Sequence, residues 1–282
     1  MTSRLGPGLT PFEDPAETVQ RITVFLDNYT KGIGTRHLIV GMSGGLDSSV
    51  TAAICSRAVG KGNTFGFFLH ESETLNAKSL KDAQEVAKMF GIRMKSLDIT
   101  GLTRTASALL RPSTRENQIV WGNVKARLRA VILYYFANRH KGLVVGTGDK
   151  SEIMLGYFTK YGDGACDLQP LADIYKTSLR QLARHLKLPR RIYTKPASPE
   201  LWPGQTAEEE LGLAYEKLDP ILWGLERWMT PADISRDLSI PIKMVERVRS
   251  RWLRSEHKRR PPLALKLGFR TAGQDLRLPY SM

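Results

Sequence analysis

Residues 37–50, HLIVGMSGGLDSSV, constrain what this chain can fold into more than any other stretch. Leu38-Ile39-Val40 is a short, bounded, β-branched apolar run, the pattern of a strand buried on both faces. It breaks into Ser43-Gly44-Gly45 and resumes from Leu46 to Ile54 with helical spacing. A strand, a glycine turn and a helix start, in that order, aim backbone N–H groups and a positive dipole end at one point above the strand. Gly44 and Gly45 lack the Cβ atoms that would hold a phosphate off the backbone, and Ser43, Ser48 and Ser49 add hydroxyl donors. Asp47 is out of place beside a bare anion but fits if a divalent cation bridges carboxylate and phosphates. The sequence lacks G-x-x-x-x-G-K-[ST], so an ordinary γ-phosphate-transferring loop is not what this is.

The segments that follow repeat the strand–helix alternation. Thr64–Leu69 and Gly142–Thr147 read as buried strands, Met94–Ile99 as a weaker one, and Ser79–Phe90 and Gly122–Ala137 as helices. Such alternation predicts a doubly wound, mostly parallel α/β sheet with ligands at the carboxyl ends of its strands. Ahead of this core, residues 1–14 are expected to be flexible, and Pro15 opens a packing or dimer helix. Residues 15–194 form the α/β core of a single domain, residues 195–206 a proline-rich loop or lid, and residues 207–282 a helical part with a basic tail.

Composition narrows the partners. A hydrophobic content of 41% is that of an ordinary globule, and no apolar run approaches the ~18 residues of a membrane span. The N-terminus has no signal-peptide pattern, and Cys55 and Cys166 make neither a disulfide framework nor a metal cluster, so a cytoplasmic location is expected. The net charge is +14, and about half of the excess sits in residues 241–282. That bias favours polyanionic ligands: several phosphates bound at once or, as the weaker alternative, nucleic acid.

A second block, Gly146-Thr147-Gly148-Asp149-Lys150-Ser151-Glu152 followed by Gly156-Tyr157-Phe158-Thr159-Lys160-Tyr161-Gly162-Asp163-Gly164 and Asp167, concentrates carboxylates, lysine and glycine at a strand exit. In a doubly wound sheet this exit lies beside the first, so Asp47 and Glu152 could share one Mg²⁺. Lys176 begins the next helical stretch, where the helix dipole disfavours a cation unless an anion is close. On the helix from Gly122, a solvated basic face explains Lys125, Arg127 and Arg129 as well as a site does. The terminal run His257-Lys258-Arg259-Arg260 reads by itself as a solvated tail.

Taken together, SGGLDSS, GNVKAR, GTGDKSE, GYFTKYGDG and EHKRRPP, in this order between residues 41 and 262, resemble the ammonia-dependent NAD synthetases. SGGLDSS alone would indicate only the wider ATP pyrophosphatase superfamily; GYFTKYGDG and EHKRRPP are the specific blocks. The resemblance implies an adenine-nucleotide α-hydrolase-like, Rossmann-like fold and a homodimer. It implies amidation of deamido-NAD with ammonia through an NAD-adenylate, with ATP as co-substrate and Mg²⁺ as cofactor; adenylation of a tRNA base is the alternative within the superfamily.

By motif position, Gly41, Met42, Ser43, Gly44, Gly45, Leu46, Asp47 and Ser48 would bind the ATP pyrophosphate, and Gln84, Thr147, Lys176 and Ser198 would make further ATP contacts. Asp47 and Glu152 would hold the metal. Arg127, Lys160, Asp167, His257 and Lys258 would hold deamido-NAD, with Asp47, Lys160, Asp167 and Lys176 as the catalytic set. Departures from the family pattern are Gly148-Asp149-Lys150-Ser151 in place of a bacterial D-H-A-A, the missing arginine after the second strand, and Ser198 for a threonine. No amidase domain is expected ahead of the loop, which implies free ammonia or ammonia from a separate protein.

Overall fold

The computed structural model describes residues 14–112, 118–198, 200–202, 204–272 and 274–276. The expected flexible segment before Asp14 lies outside them. The first half runs α1 (Pro15–Gly32), β1 (Leu38–Gly41), α2 (Leu46–Val59), β2 (Thr64–His70), α3 (Ala77–Phe90), β3 (Arg93–Asp98), α4 (Thr100–Leu110), α5 (Gln118–His140) and β4 (Leu143–Val145). There follow α6 (Lys150–Leu155), α7 (Lys176–His185), α8 (Arg190–Thr194), α9 (Ala207–Leu211), α10 (Tyr215–Glu226), α11 (Pro231–Leu238), α12 (Ile242–Arg254) and α13 (Glu256–Arg259).

The four strands form a parallel sheet in the order β3-β2-β1-β4. Side chains of β1 alternate across it: Leu38 and Val40 enter a core shared with α1, α2 and α7, whereas Ile39 enters the core on the α5 side. The apolar run of this strand is continuous because helices cover both faces. The chain steps from β1 outward to β3 and then returns to the other side of β1 with β4. The crevice between the carboxyl ends of β1 and β4 is therefore the topological switch point, where open α/β sheets bind ligands.

The C-terminal helices have a core of their own, with Tyr215, Leu218, Ile221, Leu222, Ile234, Val245 and Val248 buried. Met154, Leu155 and Tyr175 belong to that core, so it grips the residues on either side of the second sequence block. Within the expected helical part, Gly212 takes a left-handed conformation (φ 71°) and separates α9 from α10. α4, which the strand–helix alternation did not predict, follows β3 directly.

Candidate active site

The loop after β1 is closed by its own serines. The Ser43 N–H donates to Ser48 Oγ (3.2 Å) and the Gly45 N–H to Ser43 Oγ (3.2 Å), which draws the turn tight above the start of α2. Gly44 has φ 77°, and a Cβ there would lie 2.1 Å from the Ser79 carbonyl oxygen. Only glycine fits, because the loop presses against the first turn of α3. Ser49, by contrast, is fully buried without a hydrogen-bond partner and faces the core.

Beside this loop lies the main electrostatic feature of the molecule. Lys176 Nζ reaches Asp47 Oδ1 (2.6 Å), Glu152 Oε1 (2.8 Å) and Asp149 Oδ2 (3.0 Å), with only 2% of the lysine side chain exposed. Asp47 stands in the first turn of α2 and Glu152 in the first turn of α6. Asp149 is the N-cap of α6, its Oδ1 accepting from the Glu152 N–H (2.9 Å). Sheet order thus brings together three carboxylates from two strand exits.

Burial would lower the Lys176 ammonium, but the three carboxylates raise it well above its ordinary value. Burial pushes the Asp149 carboxyl up to about 7 against the pull of Lys176, and it raises Glu152 well above the usual carboxylate range. Three acids and one lysine leave two excess negative charges when all are ionised. The carboxylate oxygens of Asp47, Asp149 and Glu152 lie within 4.8 Å of one another, and the buried Asp149 Oδ2 is paired with the Lys176 ammonium (3.0 Å). Such a hard, all-oxygen set is suited to a divalent cation.

A cavity of about 440 Å³ opens from this cluster along the carboxyl edge of the sheet. Gly41, Met42, Ser43, Asp47, Ser48, Thr147, Glu152, Ser198 and Lys258 line it. A smaller pocket next to it is lined by Gly45, Leu46, Lys176 and Ser198, together with Arg180 and Lys195. Lys258 Nζ donates to the carbonyls of Gly156 (2.8 Å) and Phe158 (2.7 Å), which fastens the basic tail to the GYFTKYGDG block. The loop before α9 is anchored as well: Ser198 Oγ donates to the Gln205 carbonyl (2.6 Å), and Lys195 Nζ reaches Ser79 Oγ (2.6 Å).

Other expected residues fall differently. Gln84 is exposed on α3 and does not line the cavity. Asp82, Ala83, Val86 and Ala87 take the inward face of that helix, which turns Gln84 to solvent. Asp167 is exposed and accepts from the Val144 N–H (2.8 Å) and Tyr134 OH (3.2 Å), which caps the edge of β4; Asp163, four residues earlier, is the carboxylate that lines the cavity. Asp163 is itself exposed, and its Oδ1 accepts from the Thr159 N–H (2.8 Å). Arg127 is exposed and touches the Lys160 carbonyl (3.3 Å), while Lys160 Nζ donates to the carbonyl of His257 (3.0 Å). Arg127, Lys160 and His257 do not line the cavity.

The basic face of α5 divides three ways. Lys125 is buried against Glu71 (3.0 Å), Arg127 is exposed, and Arg129 lines the cavity with Nε on the Leu69 carbonyl (3.2 Å). Asn123, held by a hydrogen bond from Thr159 Oγ1 (2.6 Å), faces the same space. Asn123, Ala126, Ala130 and Leu133 recur at helical spacing on the cavity wall, and Arg129 follows Ala126 by three residues. That periodicity was the available signal for Arg129. The signal for Asp149 was its place as an N-cap ahead of Glu152.

The family model described as NAD synthase matches residues 18–262. Over 251 residues the chain is 42% identical to the NH(3)-dependent NAD(+) synthetase of Methanocaldococcus jannaschii, an alignment covering 89% of this chain and 96% of the relative. Among solved structures, an NMN synthetase from Francisella tularensis superposes with a TM-score of 0.78 at 29% identity, covering 92% of this chain and all of that one. The NH3-dependent NAD synthetase of Campylobacter jejuni gives 0.76 at 26% identity, covering 90% and 100%. With its strands, its glycine loop and nearly its whole length accounted for in this way, the chain belongs to the NAD synthase family.

Proposed function

We propose that this protein is a ligase that amidates deamido-NAD to NAD⁺ with ammonia, consuming ATP and releasing AMP and pyrophosphate. The observation that carries the reading is the acidic cluster around Lys176, set beside a glycine loop at the switch point. A free carboxylate is a poor acyl donor. In the first step an oxygen of the nicotinate carboxylate attacks the α-phosphorus of ATP, the bond from that phosphorus to the bridging oxygen of pyrophosphate breaks, and a mixed anhydride with AMP remains. In the second step the ammonia nitrogen attacks the acyl carbon, the C–O bond to AMP breaks, and the nitrogen gives up a proton. Both steps develop charge on phosphate oxygens, so catalysis consists of positioning and charge neutralisation.

The loop residues Gly41–Ser48 and Lys176 hold the leaving pyrophosphate in this reading, with Thr147 and Ser198 beside the ATP. Asp47 and Glu152, joined by Asp149, would hold Mg²⁺, which would supply charge neutralisation at the phosphates. Lys258, Asn123 and Asp163 face the dinucleotide, with Lys160 and Arg127 outside the cavity lining; the roles expected for Asp167 pass to Asp163. A homodimer belongs to the same reading. Leu109, Leu110, Ile119, Val131 and Tyr135 are exposed on α4 and α5 and form an apolar face of the kind a second copy covers. No helix of the described residues is long and apolar enough to cross a membrane, and we place the protein in the cytoplasm.

The Francisella neighbour's name raises a mononucleotide as the amidated substrate, but 42% identity to an NAD synthetase against 29% to that protein favours the dinucleotide. The test is incubation with ATP, Mg²⁺ and an ammonium salt, with either deamido-NAD or nicotinate mononucleotide supplied, following amidated product, AMP and pyrophosphate together. Equal formation of all three from deamido-NAD, dependent on ammonium, is expected. Product from the mononucleotide alone would overturn the substrate assignment, and no pyrophosphate from either would overturn the reaction.

A further inference from the structure

Lys176 opens α7 at a point where the residue before it, Tyr175, offers no side-chain cap. The first N–H groups of that helix are satisfied from elsewhere. The Lys176 N–H donates to Ser151 Oγ (3.0 Å) and the Thr177 N–H to Asp219 Oδ2 (2.9 Å). Thr177 Oγ1 also donates to Asp219 Oδ2 (2.8 Å), and Ser151 Oγ donates to Asp219 Oδ1 (2.6 Å). Asp219 is a fully buried residue of α10, in the C-terminal helical part, and lines neither the cavity nor the small pocket beside it. One turn earlier on the same helix, the fully buried Tyr215 places its ring 5.3 Å from Lys176 Nζ.

Burying a carboxylate is costly unless its oxygens are paired, and an apolar side chain would close this core at less cost. Here both oxygens are used, and all their donors belong to residues that adjoin the acidic cluster. Ser151 precedes Glu152 and follows the cap Asp149 by two positions, while Thr177 follows Lys176. The negative charge also sits at the positive end of α7, which fixes that end against the dipole penalty of a first-turn lysine.

We propose that Asp219 is a positioning residue for Lys176, acting through Ser151 and Thr177 to hold the first turn of α7 against the acidic cluster. The proposal rests on the ATP-activating role of Lys176 given above. Asp47 and Glu152 line the cleft while paired with Lys176, and Asp219 keeps the lysine in register from the opposite side.

The experiment is a double-mutant cycle of Asp219→Asn with Lys176→Met, read as kcat and as KM for deamido-NAD, with circular dichroism establishing that each variant is folded. The unmodified protein is measured first: if it forms no NAD⁺, the proposed reaction fails and the cycle is not at issue. With an active parent, Asp219→Asn is expected to lose kcat on the order of 10²-fold, since small misplacements cost that much, with KM for deamido-NAD within about twofold. In the Lys176→Met background the same change should cost nothing further, because the residue through which it acts is gone. A parent-like kcat, or the same loss in both backgrounds, overturns the proposal. If Asp219→Asn is unfolded, Thr177→Val decides, because it removes a single hydroxyl donor. A kcat loss of roughly fivefold, absent in the Lys176→Met background, supports the proposal, and an unchanged kcat overturns it.

Discussion

The α/β half and the C-terminal helical half both hold the acidic cluster, but in different ways. In the α/β half, Asp47, Asp149 and Glu152 stand at the beginnings of helices that follow directly from strands β1 and β4. Their placement follows from sheet order and loop length, and each carboxylate lies close to a backbone turn. In the helical half, Tyr215 and Asp219 sit one turn apart on the packed helix α10, Tyr215 against Lys176 and Asp219 hydrogen-bonded to Ser151 and Thr177 beside the cluster. In the first half, Asp47 and Glu152 line the cleft while paired with Lys176. In the second, Asp219 is fully buried with both carboxylate oxygens already hydrogen-bonded. In the proposed reaction the first region would do the chemistry and the second would keep its geometry from relaxing.

Perturbing the cleft side should have the largest effect. Asp47→Asn removes one carboxylate charge from the cluster while keeping the size of the side chain, and turnover should fall by on the order of 10²–10³-fold with little change in thermal midpoint. Raising the Mg²⁺ concentration should recover part of the loss, because a weakened site fills at higher cation concentration. Steady-state rates across a Mg²⁺ titration check this, and near-normal turnover at low Mg²⁺ would remove Asp47 from the metal site. Gly44→Ala should come next. The left-handed backbone costs a side chain roughly 1–2 kcal/mol, and the Ser79 carbonyl 2.1 Å away leaves the Cβ no room. A lowered unfolding midpoint together with weakened ATP binding is expected; unchanged values of both would mean that the loop does not press on α3 as described.

The smallest effect belongs to the far end of the helical half. Leu263, Leu265, Leu267 and Phe269 alternate along the chain and are 80–89% exposed. They contact no core, so Leu265→Ser with Leu267→Ser should shift stability by under about 0.5 kcal/mol. A larger shift in chemical denaturation would show that the tail is packed in solution and that the boundary of the helical half lies further along the chain.

How far each region could be read from sequence follows the same division. The sheet, its parallel order and the loop after β1 were legible because strand–glycine–helix punctuation is local and strict. Asp47, Glu152 and Lys176 were legible because family blocks mark them. Within blocks, phase decided what could be seen: Lys125 and Arg129, four residues apart, share the face that meets Glu71, whereas Arg127 between them is exposed, and only Arg129 reaches the cavity. Choosing between them requires knowing where β2 ends. Gln84 and Asp167 fall outside the cavity lining for a related reason, since a motif residue can be in register and still face solvent or cap an edge strand. Asp219 had no signal at all, because a buried aspartate in an amphipathic helix looks in sequence like any other polar position.

The central claim, that the nicotinate carboxylate is activated by transfer to the α-phosphate of ATP, has a direct isotopic test. Deamido-NAD labelled with ¹⁸O in its carboxylate would be converted with ATP, Mg²⁺ and ammonium, and the AMP analysed by mass spectrometry. The account predicts one labelled oxygen in AMP and none in pyrophosphate, because the oxygen that attacks phosphorus leaves with it when ammonia displaces AMP. Unlabelled AMP, or label in pyrophosphate, would contradict the acyl-adenylate and with it the role assigned to the cleft.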